Sequence, residues 1–407
     1  MAMPMALGGG GGAPLKRRIG TVLLTAYGVG IMVGAGIYVL TGAAAGAAGM
    51  WAPLAFVLAG LVAIPSALSF AELSARIPEA AGDSSYVEVG LGLHWLALVV
   101  GAINVVAGTV AAAAVLRGGV GYLVSIADIP FDWAVIGLGL ALTGVALVGV
   151  LESLAFAAVL TLVEVSGLAL VIFAGFTAAP VADWSMPLPE IEGPGLAAAT
   201  IFAFFAFIGF DDMVNMAEET HDPQRNMPRA ILLALAITAL LYTLVSLAAV
   251  RAVPREVLAG SERPLALVWE SGMGSSAVFL SAIAVAAALN GVLAQIVMAS
   301  RVLFGLSRRS PMLAVFGHAS KRFGTPMVGT LVVGAAVIAS AFTLPVATLA
   351  EVTTLALLIV FAVVNAALIG VKRKAPDFPF RTPGWMPWLG VIACLATFVA
   401  SFAGGLA

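Results

Sequence analysis

The sequence predicts an all-α integral membrane protein of about eleven transmembrane helices, ten of them arranged as two five-helix repeats of opposite orientation. Three observations carry this. Of 407 residues, 62% are hydrophobic and 10% charged, with a mean hydropathy of +1.11, whereas soluble domains carry about 25% charged residues. Apolar runs recur at a length near the roughly 20 residues a helix needs to cross a bilayer core. Two of these runs, at matching positions, are interrupted by glycine.

Proline, glycine and charged residues delimit runs near 19–43, 50–76, 92–117, 132–151, 154–178, 196–219, 229–251, 275–305, 326–345, 347–371 and 386–405. Residues 1–18 read as a cytoplasmic tail, because the basic residues follow the glycine run and no small-residue cleavage site precedes a short apolar core. Orientation follows from lysine and arginine, which stay on the cytoplasmic side. Lys16, Arg17 and Arg18 precede span one, Arg76 follows span two, and Arg225 and Arg229 follow span six. Arg301, Arg308, Arg309, Lys321 and Arg322 follow span eight, and Lys372, Arg373, Lys374 and Arg381 follow span ten. Only Arg117, Arg251, Arg255 and Arg263 fall on the other side. One miscounted span among the first ten would invert every later loop, so the N-terminus is expected in the cytoplasm of a multi-pass protein in the cell membrane. The net charge of -2 says nothing about partners, because charge is sorted by membrane side, and no nucleic-acid partner is expected.

Span one contains GVGIMVGAGI, Gly28 to Ile37. Each glycine there costs about 1 kcal/mol against alanine in a helix. A dinucleotide fingerprint needs a preceding strand and a βαβ unit, which this segment lacks. Gly30 and Gly34 fit a GxxxG helix-packing pattern. The competing reading is a helix broken at the bilayer midplane, with its peptide groups facing a cavity. Discontinuous helices in corresponding positions of two halves point to a transporter binding site. About 175 residues later FFAFIGFDDMVNMAEE, Phe204 to Glu219, repeats the feature: Gly209 interrupts an aromatic run and acidic residues follow. The aromatic run alone also fits lipid-facing packing. If residues 19–178 and 196–371 are two copies, each has an odd number of spans and the second is inverted, with 386–405 an additional helix.

Polar residues within the remaining runs follow in chain order. Glu72 and Arg76 sit four apart with the acid first, a favourable helical spacing. Asn104, in span three, fits either an interhelical hydrogen bond or a substrate contact. Glu164 is the one acid deep within the first five spans. An ionised acid at the bilayer centre costs about 2.5–3.5 kcal/mol on insertion scales and is a functional candidate by default. Either it takes up and releases a proton, or it stays protonated and bonds a neighbouring helix. Asp212 reads as facing a watery vestibule or as a substrate contact favouring cations. Glu218, Glu219, Arg225 and Arg229 read as ion pairs at the cytoplasmic end of span six, latching a gate or pairing on the surface. VPREVLAGSERPLALVWESGMG, between spans seven and eight, is apolar enough to form a short amphipathic lid. His94, His221 and His318 lie far apart near loops, and Cys394 is a lone thiol in the last run. No nucleophile and base, no metal-ligand spacing and no cofactor motif accompanies them, so neither catalytic nor metal residues are expected.

These stretches together resemble permeases of the amino acid, polyamine and organocation (APC) superfamily. The similarity rests on GVGIMVGAGIYVLTG, on FFAFIGFDDMVNMAEETHDPQRNMPRAI, on SFAELSARIPEAAGDSSYVEVG, and on ASRVLFGLSRRSP with RFGTP, and extends over about residues 16 to 400. The resemblance implies a five-plus-five inverted-repeat, leucine-transporter-like fold, with substrate held between spans one, three, six, eight and ten. Two features depart from it: eleven spans where most relatives have twelve or more, and Glu164 where many carry a lysine that stands in for a sodium ion. By the same analogy Asn290 is a neighbour of the coupling site. An acid at Asp211 matches the family pattern, whereas Asp212 replaces a usual small residue.

The resemblance implies an amino acid or amine substrate, and an amino acid presents a carboxylate and an ammonium a few ångström apart. Free N–H groups of Gly34, Ala35 and Gly36 at the start of a half-helix suit the carboxylate. Carbonyls of Phe205, Ala206, Phe207 and Ile208, freed beside Gly209, suit the ammonium. Phe205, Phe207 or Phe210 could close over the ligand as a gate, with Glu218 and Arg225 at the inner end. The leading expectation is a secondary active amino acid transporter in the lipid bilayer, coupled to a proton through Glu164 and Asn290. An uncoupled exchanger and a membrane sensor that binds without moving its ligand are the alternatives.

Overall fold

In lipid, backbone N–H and C=O groups must be paired within the segment, which restricts apolar spans like these to helices. The computed structural model describes residues 19–78, 82–148, 154–187, 189–307, 309–320 and 322–403. Lys16, Arg17, Arg18, Arg308 and Lys321 lie outside these. Among the described residues no strand forms beyond one isolated bridge between Ile19 and Thr220.

Span one is two helices, α1 (Thr21–Val33) and α2 (Ala35–Ala48). Then come α3 (Ala52–Arg76), the short α4 (Gly82–Leu91), α5 (His94–Val124), α6 (Phe131–Val148) and α7 (Leu154–Thr177). Span six is α8 (Gly193–Phe207) followed by a 3-10 segment, Asp212–Glu219. The chain continues through α9 (Pro223–Ala252), the short α10 (Arg255–Ala259) and α11 (Pro264–Met273), α12 (Val278–Ser307), α13 (Met327–Thr343), α14 (Val346–Lys374) and α15 (Met386–Ala403). Eight described segments are long and apolar enough to cross a membrane, and Thr21–Val33, Met327–Thr343 and Met386–Phe402 are shorter apolar helices.

Boundaries differ from the sequence expectation where charge had been taken as an end. α5 runs on past Arg117, whose guanidinium donates to the Ala341 carbonyl at 2.8 Å and lies over the Phe131 ring at 4.9 Å. A cation satisfied by a neighbouring backbone and ring need not terminate a helix. α9 begins at Pro223, six residues early, because proline is suited to a first turn where its missing N–H is no loss.

The helices pack in a regular scheme: α2 lies on α8, α3 on α9, α5 on α12 and α6 on α13. Spans one to four of the first half thus touch the span five places later. Between apolar helices in lipid, close approach depends on small side chains, and Gly119 of α5 meets Ala288 of α12 in this way. The stretch between spans seven and eight folds as α10 and α11, laid against α2 and α7.

Glu72 and Arg76 form the anticipated pair, but not at the surface. Glu72 is fully buried and accepts from Arg76 Nη2 at 2.6 Å, from the Thr382 N–H at 2.8 Å and from Thr382 Oγ1 at 2.7 Å, with Lys372 Nζ 3.0 Å away. Arg76 also donates to the Ala375 carbonyl and lies over the Phe378 ring. One carboxylate therefore fastens the segment before α15 to the end of α3. Cys394 of α15 packs beside Ser66, which with Ser69 holds the buried Asn365 amide. Removing one partner of a buried ionic cluster leaves the others unpaired. Glu72→Ala is therefore expected to cost about 3–5 kcal/mol, read as a lowered unfolding midpoint of the detergent-purified protein.

Candidate functional site

Both glycine-marked spans are broken. At Gly34 the backbone leaves the helix (φ -38°, ψ -177°), and α2 restarts without any side-chain cap on its first N–H groups. α8 ends where Ile208 turns extended (φ -59°, ψ 135°) and Gly209 adopts φ 128°, a conformation open to glycine and strained for other residues. The Gly209 N–H donates to Asp211 Oδ1 at 3.0 Å. A Cβ at Gly209 would lie 3.3 Å from the Ile31 carbonyl carbon and the Met32 nitrogen. The break in span six therefore rests directly on the residues leading into the break in span one.

Tyr242 of α9 joins the two. Its buried hydroxyl donates to the Met32 carbonyl and, at 3.0 Å, to the Ala206 carbonyl, sharing one proton between carbonyls that precede the two breaks. The sequence reading missed this residue. The available signal was a tyrosine inside the apolar run ITALLYTLVS, since a phenolic hydroxyl in hydrocarbon must find a partner.

A cavity of about 80 Å³ lies at the breaks, and Gly34, Gly36, Phe205, Ala206, Ile208 and Asn290 line it. The side chain of Ala35 is outside the described residues, although its backbone heads α2. Phe207 and Gly209 are not among the lining residues: Phe207 packs on Tyr242, ring centroids 5.2 Å apart. Of the four carbonyls expected to receive an ammonium, that of Phe205 is taken by the Ile208 N–H and that of Ala206 by Tyr242.

The gate residues separate. Phe210 is fully buried against Phe70 and Phe361, at 5.8 and 5.2 Å, away from the cavity. Gly209 has reversed the chain before it, so its ring points into the α3–α14 packing, and of the three rings Phe205 is the one lining the cavity. Arg225 is exposed and pairs locally with Asp222 at 3.7 Å, while the side chain of Glu218 lies outside the described residues. Glu164 is buried in α7. Tyr38 donates to its backbone carbonyl at 3.1 Å, and its Oε2 has no hydrogen-bond partner among the described residues.

A second cavity of about 460 Å³ shares the lining residues Ala111, Ile208, Asp212, Gln295 and Met298 with the first, so the two are neighbours. It passes Asp83, Asn104 and Asp211 and reaches Arg301 and Arg309 at its rim. Arg309 donates to Glu88, which also holds His94 at 3.2 Å. Asp212 accepts from Gln295 Nε2 at 3.3 Å, and Asp83 from Asn104 Nδ2 at 2.6 Å. Burial, then the neighbouring Asp211, push the Asp83 carboxyl up to about 7, against partial relief from Asn104.

Loss of the Tyr242 hydroxyl leaves two buried carbonyls short of a donor. Tyr242→Phe is expected to cost about 1–3 kcal/mol and to slow uptake of substrate by reconstituted protein while membrane insertion is retained. A second expectation concerns Asp83. The folded state keeps its proton to a higher pH than the unfolded chain, whose carboxyl titrates at about 4. Stability should therefore fall as pH rises from about 4 to about 7 and level off above that. Thermal midpoints across this range check it, and Asp83→Asn should flatten the slope.

Comparison with known proteins gives a consistent picture. A family model described as amino acid permease matches residues 19–405. A branched-chain amino acid permease of Bacillus subtilis is 28% identical, over 94% of this chain and 87% of its own length. A methylthioribose transporter of the same organism is 30% identical, over 93% and 86%. The vacuolar cationic amino acid transporter 2 of Arabidopsis thaliana is 31% identical over 90% of this chain and 61% of its own length.

Proposed function

The chain belongs to the amino acid permease family of the APC superfamily and is a multi-pass membrane transporter of amino acids rather than an enzyme; on that premise we propose a proton-coupled secondary transporter that works by alternating access around its two broken helices. The observation that carries this is the contact between the breaks at Gly34 and Gly209, with uncapped N–H groups on one side and chain-end carbonyls on the other, around one cavity. The N–H groups of Gly34, Ala35 and Gly36 receive the substrate carboxylate, favoured by unmet donors and the helix dipole. With two carbonyls already engaged, those of Phe207 and Ile208 receive the ammonium. Phe205 closes over the bound substrate.

Residues 19–178 and 196–371 act as inverted repeats that rock against each other, with 386–405 outside both. The pairing of spans one to four with their counterparts five places later supports this arrangement. With the N-terminus and the basic ends in the cytoplasm of a cell-membrane protein, the larger cavity faces inward, and α10 and α11 cover the outer end of α2. The Glu164 carboxyl carries the proton, and Asn290, which lines the cavity at the breaks, takes part in the coupling. The buried Glu164 Oε2, without a hydrogen-bond partner among the described residues, supports a group that changes protonation between states.

One proton moved down 100 mV releases about 2.3 kcal/mol, enough for a roughly fortyfold substrate gradient. In proteoliposomes an imposed proton gradient is expected to drive accumulation. Glu164→Gln should abolish that accumulation while sparing counterflow exchange. Undiminished gradient-driven uptake in the variant would remove Glu164 from the coupling step, and a wild type that exchanges but shows no net uptake into empty vesicles would replace coupling by obligate exchange.

A further inference from the structure

The relatives' names point to three kinds of substrate: branched-chain amino acids, methylthioribose and cationic amino acids. The geometry points to Asp212 as the residue that selects amino acids whose side chains end in a second cationic group, an inference resting on the amino acid site proposed above.

The cavity at the helix breaks measures about 80 Å³ and the one beside it about 460 Å³. On the amino acid site proposed above, the smaller cavity holds the zwitterionic head and a longer side chain extends toward the larger one. Asp212 and Gln295 line both cavities, and in this inference they form the neck between them. A side chain extending from the head group passes this carboxylate.

Beyond the neck the cavity offers hydrogen-bond acceptors. Asp83 lies there with one oxygen held by Asn104, and Asp211 with one held by the Gly209 N–H. Asn104 lines the same space, and its Oδ1 is buried with no hydrogen-bond partner. The cations that line the cavity, Arg301 and Arg309, are at its rim, and Arg309 is engaged by Glu88. At the neck Asp212 has a single long contact, from Gln295 at 3.3 Å. An ammonium or guanidinium brings several donors and no acceptor, and so complements this set. An apolar side chain of the same length would strand the acceptors away from water, which is costly for charged groups.

Gln295 holds the neck in the absence of substrate, and a cationic side chain takes its place on Asp212.

Lysine and norleucine separate the charge from the length, because norleucine has the same four-carbon chain without the terminal amine. Uptake of each, radiolabelled, is measured in proteoliposomes together with competition by unlabelled lysine, arginine, ornithine and norleucine. Wild-type protein is expected to favour lysine over norleucine by roughly tenfold or more. Asp212→Asn should reduce that ratio to near one, and Asp212→Glu should restore most of it. Equal handling of lysine and norleucine by the wild type overturns the proposal without need of a variant, and so does an unchanged ratio in a folded Asp212→Asn protein. A wild type that carries norleucine or leucine but not lysine refutes only this inference. A wild type that carries no amino acid refutes the amino acid site beneath it.

Discussion

The unpaired peptide group is the constraint on which this structure turns. In hydrocarbon a broken helix exposes N–H and C=O groups that water cannot reach, at several kcal/mol each. The chain nevertheless breaks two helices, at Gly34 and at Ile208–Gly209, and sets the breaks against one another. Tyr242 meets part of the demand with one hydroxyl for two carbonyls, and the Ile208 N–H meets another. What is left unmet faces a cavity.

The surrounding helices hold these breaks in register. α3 and α9 pack together behind them, α5 and α12 close the opposite wall, and α8 and α2 lie side by side between. Charged residues within this scaffold are tied to backbone as well as to each other: Arg117 to Ala341, Arg251 to Gly175 and Ala178, Glu72 to Thr382. Such ties satisfy ionic groups where solvent is scarce and join segments distant in sequence. Among the acids along the inner cavity, Asp212 and Asp83 instead accept from neutral side-chain amides, of Gln295 and Asn104.

Much of the site's location was legible in the sequence. Bare backbone at Gly34 and Gly209 costs helix stability in proportion to its number, so paired glycine-marked spans announce a use for exposed peptide groups. The direction of each side chain was not legible. Phe210 looked like a gate because it follows the break, yet the positive φ of Gly209 turns it into a cluster with Phe70 and Phe361. Arg225 looked like a partner for the end of span six, yet it pairs with Asp222 three residues away, where its exposed side chain finds the nearest acid. Asp83 drew no notice as a loop residue, and only the folding of α4 against α5 brings it beside Asn104 and the acids after α8.

By itself, the sequence determined the approximate places of the apolar spans, because length and hydrophobicity decide what can cross a bilayer. It also determined where two of them come apart, because glycine's freedom is a local property of the backbone. The tertiary structure alone decided that the two breaks touch, that one tyrosine serves both, and that Asp212 lines both a small cavity and the larger one beside it. These depend on rotations of whole helices about their axes, set by contacts among residues hundreds of positions apart, and in a chain apolar on nearly every face no periodicity reveals them.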